Sequence, residues 1–166
     1  MSCGRQHCGA LSSWGLRKLM NILERVLDLL KTHDKMTVAT VRADGFPQAT
    51  TVNYVNEGLV IYFGCSVRSQ KARNIERDDR VSLAIDHEYA DWNKIQGLSM
   101  GGIAERVSDI QDIERVGDLF TRKFPQLSGF RPEDLLGTAF FRVTPKVISV
   151  IDYTKGFGRS ELIELG

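Results

Sequence analysis

The 166-residue sequence predicts an α+β protein, a mostly antiparallel β-barrel of six to seven strands with flanking helices. Three observations carry that prediction. Apolar residues first recur at the three- and four-residue step of a helix and then change to alternation. Short turn signals, Asp44-Gly45 and Asn56-Glu57-Gly58, join the alternating segments as antiparallel neighbours. Paired glycines, Gly101 and Gly102, interrupt a long strand in the way a bulge or barrel corner requires.

The elements follow in order. Leu16, Leu19, Met20, Leu23, Val26, Leu27 and Leu30 form one apolar stripe over Trp14 to Thr32, with Lys18, Glu24, Arg25, Asp28 and Lys31 largely on the other side. Met36–Val41, Gln48–Val55 and Leu59–Cys65 read as three strands of a meander. Ser69 is placed to cap a short helix from Gln70 to Glu76, and Val81–Asp86 is the next strand. A loop with Tyr89, Asp91 and Trp92 leads to the long strand Gln96–Val107. Ser108-Asp109-Ile110-Gln111 reads as a capping box opening a helix whose stripe is Ile110, Ile113, Val116 or Gly117, and Phe120. After a helical turn at Glu133–Leu136 come two final strands, Thr138–Thr144 and Val147–Tyr153, broken at Pro145-Lys146; residues beyond Tyr153 read as a tail.

Bulk properties narrow the function. The length suits one domain, residues 14–166, preceded by a disordered extension, residues 1–13. A net charge of +1 provides no overall field for nucleic acid or an anionic membrane. No apolar run spans a bilayer, and Cys3, Cys8 and Cys65 form no disulfide framework, so a reducing, cytoplasmic setting is expected. Cys3, His7 and Cys8 are too few for a closed zinc site, and no metal is expected.

The familiar catalytic signatures are missing: there is no nucleophile elbow, Walker loop or H-E-x-x-H, and Gly156-Phe157-Gly158 comes too late for a dinucleotide fingerprint. His33, at the end of the first helix, is accounted for by the helix C-terminus. One junction has useful chemistry. Arg68-Ser69-Gln70-Lys71 puts a helix start with free N–H groups, a hydroxyl and two cations in one place, which suits a phosphate; a capped, solvated helix start has the same local composition.

From Met36 to Val107 the chain resembles the pyridoxamine 5′-phosphate oxidase-like FMN-binding split barrels. The matching stretches are M-T-V-A-T-V-R-A-D-G-F-P-Q-A-T-T-V, L-V-I-Y-F-G-C-S-V-R-S-Q-K-A-R-N-I, R-V-S-L-A-I-D and G-G-I-A-E-R-V, followed by F-F-R-V-T-P-K-V-I-S-V-I-D-Y. The resemblance covers about Leu23 to Tyr153. It implies a split β-barrel that is homodimeric, with FMN in a groove between subunits. It further implies that Arg68, Ser69, Gln70 and Lys71 hold the phosphate, that Thr50, Thr51 and Val52 run beside the flavin, and that Phe63, Gly64 and Cys65 end the neighbouring strand. Gln96 takes the approximate place of a family glutamine that contacts the cofactor. Each also has a structural role open to it: the threonines as strand formers, Phe63 and Cys65 as core.

The chain departs from the authentic oxidase at the tail, where Arg159-Ser160-Glu161 replaces an Arg-x-His motif. A vitamin B6 substrate is therefore not expected, and no catalytic side chain is nominated. The resemblance implies an FMN-dependent oxidoreductase acting on a small molecule. The alternatives are a flavin-binding or sensing protein without turnover, or a barrel that takes a deazaflavin or haem instead.

Overall fold

The computed structural model of the chain describes residues 13–129 and 136–166. Among these residues the order is α1 (Ser13–Thr32), β1 (Lys35–Val41), β2 (Pro47–Glu57), β3 (Val60–Ser66), α2 (Gln70–Arg77), β4 (Arg80–Ile85), β5 (Gln96–Arg106), α3 (Ile110–Lys123), β6 (Thr138–Asp152) and β7 (Ser160–Glu164). The sheet runs β3-β2-β1-β4-β5-β6-β7, and a β3–β6 pairing closes its first six strands into a barrel. All pairings are antiparallel, and β7 lies outside the closed barrel against β6.

The meander forms where the turn residues demand it. Gly45 takes φ +86°, and the Arg42 N–H bonds the Phe46 carbonyl at 2.9 Å, fixing the β1–β2 register. Alternation then sorts the side chains: Met36, Val38 and Thr40 of β1 are buried, as are Val81, Leu83 and Ile85 of β4. Tyr54, Ile61, Phe63, Leu98, Met100, Phe141 and Ile148 join them in the barrel interior. A smaller cluster outside the wall, Val55, Tyr62 and Phe140, is covered by Val116 of α3 and by Phe124.

Three expectations change at the level of elements. The two final strands are one, β6, because a bulge at Gly101 and Gly102 absorbs the break: Gly101 pairs with Val147 and Gly102 with Pro145, leaving Lys146 as the extra residue. A Cβ on Gly102 would lie 2.6 Å from the Thr144 carbonyl oxygen, so only glycine fits there. The residues read as a tail supply β7, with Ile163 buried and Leu162 exposed. The cap of α3 is Asp109 rather than Ser108: its carboxylate accepts from the Gln111 and Asp112 N–H groups, and Ile110 is left exposed. The helical turn expected at Glu133–Leu136 falls largely outside the described residues, as do residues 1–12.

The first helix is buried over only part of the expected stripe. Val26, Leu29 and Leu30 are buried, Leu19, Ile22 and Leu23 are half-buried, and Leu16, Met20 and Leu27 remain exposed. Its C-terminal end is tied down by Lys123, which donates to the Leu30 and His33 carbonyls at 3.3 and 2.6 Å. Burial pushes the Lys123 ammonium pKa down, with Asp34 acting the other way. Tyr54 donates its hydroxyl to the same Leu30 carbonyl at 2.9 Å. His33 Nδ1 lies 2.8 Å from the Leu29 carbonyl, as expected of a residue at a helix C-terminus, and its Nε2 is 2.7 Å from His87 Nδ1.

Candidate functional site

The start of α2 is built from its own sequence. Ser69 takes an extended conformation, and its hydroxyl oxygen accepts from the Ala72 N–H at 3.3 Å. The same hydroxyl lies 3.4 Å from Cys65 Sγ, which joins the end of β3 to the helix start. Asn74 is buried and donates to Thr40 Oγ1 at 2.9 Å and Gln48 Oε1 at 3.2 Å, locking α2 onto β1 and β2. The Gln70 side chain is used along the helix: it donates to Asn74 and accepts from Arg73. It can therefore meet a ligand through its backbone N–H while these contacts hold.

What the junction leaves unpaired is more informative. The first two helical N–H groups, of Gln70 and Lys71, bond no group among the described residues, nor do the Lys71 ammonium and the Arg68 guanidinium. Lys71 is half-buried and Arg68 exposed. Two cations and two aligned N–H donors at one helix start make an anion cradle.

Beside the cradle the barrel wall parts. β2 pairs with β1 over Pro47–Asn53 but with β3 only over Tyr54–Glu57, so the two strands separate after the Tyr54–Phe63 pair. Thr50, Thr51 and Val52 lie on the β2 side of that opening, and Gly64 and Cys65 on the β3 side. Thr50 is opposite Val38 and Val52 opposite Met36, so both turn toward the interior; Thr51 is exposed on the other face. Thr50 Oγ1 is buried and has no hydrogen-bond partner. At Gly64 an added Cβ would lie 3.1 Å from the Phe140 ring, so a side chain there would press against β6.

Two of the sequence candidates sit elsewhere. Phe63 is fully buried and stacks on Phe141 with ring centroids 5.5 Å apart, which gives its side chain a core role. Gln96 lies at the opposite end of the barrel: Ser66 pairs with Thr138 at one end of β6, Gln96 pairs with Asp152 at the other, and the 15 residues of β6 span the distance. There Gln96 donates to Asp152 Oδ1 at 3.2 Å, and its carbonyl accepts from the Tyr89 hydroxyl at 2.9 Å.

That second end holds a cluster the sequence did not single out. Asp152 is buried, bridged by Arg25 at 2.8 Å, and its Oδ1 accepts from Thr154 Oγ1 at 2.6 Å. Burial works to raise the Asp152 pKa, but hydrogen bonds from Thr154 and Gln96 and the Arg25 charge outweigh it and leave the carboxyl below its ordinary range. An isolated aspartate after a strand carries no such signal in sequence, because Arg25 comes from a distant helix.

The family follows from these elements and from comparison with known proteins. The family model described as pyridoxamine 5′-phosphate oxidase matches residues 22–152, which include the barrel from β1 to the end of β6. The chain belongs to that family. Among solved structures, a conserved hypothetical protein from Mycobacterium tuberculosis is 24% identical, with 86% of this chain and 91% of that one covered at a TM-score of 0.70. A candidate pyridoxamine 5′-phosphate oxidase from Listeria innocua is 20% identical, covers 79% and 98% of the two chains, and has a TM-score of 0.66. A haem storage protein from Vibrio cholerae is 18% identical over 74% and 88%, with a TM-score of 0.60. These likenesses show a shared fold. No curated protein matches the chain. No helix among the described residues is long and apolar enough to cross a membrane.

FMN, the cofactor implied by the sequence resemblance, fits this chain at the cradle. Lys71, Arg68 and the N–H groups of Gln70 and Lys71 offer the donor set of a phosphate site, and the buried, unpartnered Thr50 oxygen lies on the β2 side of the adjoining opening. The fit does not extend to Gln96 of the same chain.

Proposed function

We propose that this member of the pyridoxamine 5′-phosphate oxidase family binds FMN and acts as an FMN-dependent oxidoreductase on a small molecule. The observation that carries the reading is the cradle at the start of α2, whose cations and N–H groups have no partner among the described residues and stand beside the parted β2–β3 wall. In this reading Lys71 and Arg68 neutralise the phosphate, and the Gln70 and Lys71 N–H groups orient it. Ser69 holds the helix start in place. Thr50, Val52, Gly64 and Cys65 line the approach to the ring. When bound, FMN supplies hydride or electron transfer; the chain supplies binding, orientation and exclusion of water.

The protein acts as a homodimer in this proposal. Gln96 is too distant from its own Lys71 to share one cofactor with it, so any contact it makes with flavin is to the site on the other subunit. Dissociating the dimer then releases FMN. A dimer-disrupting change that leaves FMN affinity untouched would remove the shared site.

Haem is the second reading, supported by the fold shared with the haem storage protein. It is weaker here because the two histidines among the described residues, His33 and His87, lie within hydrogen-bond distance of each other. A flavin carrier without turnover is the third, supported by Arg159-Ser160-Glu161 standing where the oxidase has its Arg-x-His substrate motif. The visible spectrum of purified protein, with FMN and haem titrations, tests all three. Flavin bands at about one FMN per chain support the proposal. A Soret band, or no response to FMN, overturns it.

A further inference from the structure

His33 and His87 meet where α1 ends, and neither takes part in the site proposed above. His33 is only 6% exposed and sits one residue past α1. His87 is exposed, in the loop of residues 86–95 that joins β4 to β5. His33 Nε2 and His87 Nδ1 are 2.7 Å apart, a hydrogen-bond distance. The two rings lie 4.8 Å apart at their centroids, and the Tyr89 ring packs on His87 at 3.9 Å. Tyr89 in turn donates its hydroxyl to the Gln96 carbonyl, where the loop enters β5. The His87 contact thus ties the first part of the loop to the end of α1.

The partners of His33 fix where its protons sit. The Leu29 carbonyl, 2.8 Å from Nδ1, can only accept, so Nδ1 carries hydrogen; the Thr32 hydroxyl beside it already donates to the Asp28 carbonyl. In the uncharged ring Nε2 is then an acceptor, and His87 Nδ1–H donates to it. One added proton leaves the contact whole, because either ring can carry the charge while a single hydrogen stays between the two nitrogens. A second added proton does not. Both facing nitrogens then bear hydrogen, and two positive rings oppose each other. The surroundings give no relief. Neither ring has a carboxylate partner among the described residues. From α3 comes another cation, the Lys123 ammonium, 2.6 Å from the His33 carbonyl. From β2 comes the Tyr54 hydroxyl, already bonded to Leu30. Asp34 follows His33 in the chain and acts on Lys123 and Tyr54, while Asp86 acts on Tyr89 and Glu88 follows His87. None of these three carboxylates is bonded to an imidazole.

We infer that the His33–His87 pair is an acid-operated latch on the β4–β5 loop, closed while the pair carries no charge or one and opened when both imidazoles are charged. His33 is held by burial and by the Leu29 carbonyl, so His87 is the ring that swings into water. Residues 86–90 move with it. Histidine is the side chain suited to such a device, since imidazole changes charge between about pH 5 and 8. The latch stands without the flavin reading.

Amide hydrogen exchange of the full chain, followed by mass spectrometry at about pH 8 and about pH 5 and corrected for the intrinsic pH dependence of exchange, reads the latch. Exchange in residues 86–95 should rise roughly 10-fold at the lower pH, the effect of losing one hydrogen bond, while β1 and β6 keep their protection. His87→Gln retains a side-chain N–H for His33 Nε2 and takes up no charge, so its loop should stay protected at both pH values. His87→Ala should leave the loop open at both. Thermal melting near that of wild type shows that each variant keeps the barrel. A wild-type loop that exchanges equally at the two pH values overturns the inference, as does a rise shared equally by the strands. The same rise in His87→Gln, or a His87→Ala loop as protected as wild type at the higher pH, overturns it too.

Discussion

The two ends of the barrel handle polar groups in opposite ways. At the Asp152 end the carboxylate, Arg25, Gln96 and Thr154 satisfy one another, leaving only single buried atoms without partners, among them Arg25 Nε. At the α2 end the framework is equally well bonded, through Ser69 and Asn74, yet the cations and N–H groups it displays have no partner among the described residues. The difference separates structure from function. A closed network stabilises the fold, whereas an ordered framework presenting unused donors is prepared for a ligand.

The comparison breaks most visibly at Lys71. Lys71→Ala should weaken FMN binding by roughly 10- to 100-fold and barely change riboflavin binding, because only FMN carries the phosphate. Fluorescence titration with both ligands checks this, and equal losses would remove Lys71 from the phosphate role. Its thermal stability should stay near wild type.

At the other end the effect reverses. Asp152→Asn should cost about 1–3 kcal/mol of stability by leaving Arg25 without its charge partner, with little direct effect on the phosphate cradle. The pH dependence sharpens the point. The folded-state pKa of Asp152 is lowered, so its stabilising contribution is complete above the ordinary aspartate range and is lost as pH falls through the depressed value. Denaturant melts at descending pH should therefore show a shallower acid-side loss in Asp152→Asn than in wild type.

Ser69→Ala tests the framework of the cradle rather than its charge. Loss of the cap should cost about 1 kcal/mol. It should weaken FMN less than Lys71→Ala does, and Ser69→Asp should restore stability without restoring FMN affinity. The smallest effect belongs to Tyr54→Phe, which removes one hydrogen bond to the Leu30 carbonyl and should cost about 0.5–1.5 kcal/mol, measured by thermal denaturation.

Much of this was legible in the residues themselves, and the exceptions are physical. Ser69 was readable as a cap because a cap is made within three residues of chain. Gly101 and Gly102 marked the bulge because close backbone approach excludes a Cβ. Phe63 was ambiguous: its alternation assigns a face, but whether that face meets a ligand or Phe141 depends on a distant strand. Ser108 and Asp109, one residue apart, offer the same capping chemistry, and only backbone geometry chooses Asp109.

The sequence by itself determined the strand alternation, the hairpins, the antiparallel barrel class and the helix start that displays Lys71. These depend on side-chain period, turn stereochemistry and capping, which act over a few residues. The tertiary structure alone decided that β6 is continuous, that the last residues form β7, and that Gln96 stands at the far end from Lys71. It also decided that His33 meets His87. Those outcomes rest on contacts between residues far apart in the chain, whose meeting is set by barrel closure rather than by any local preference.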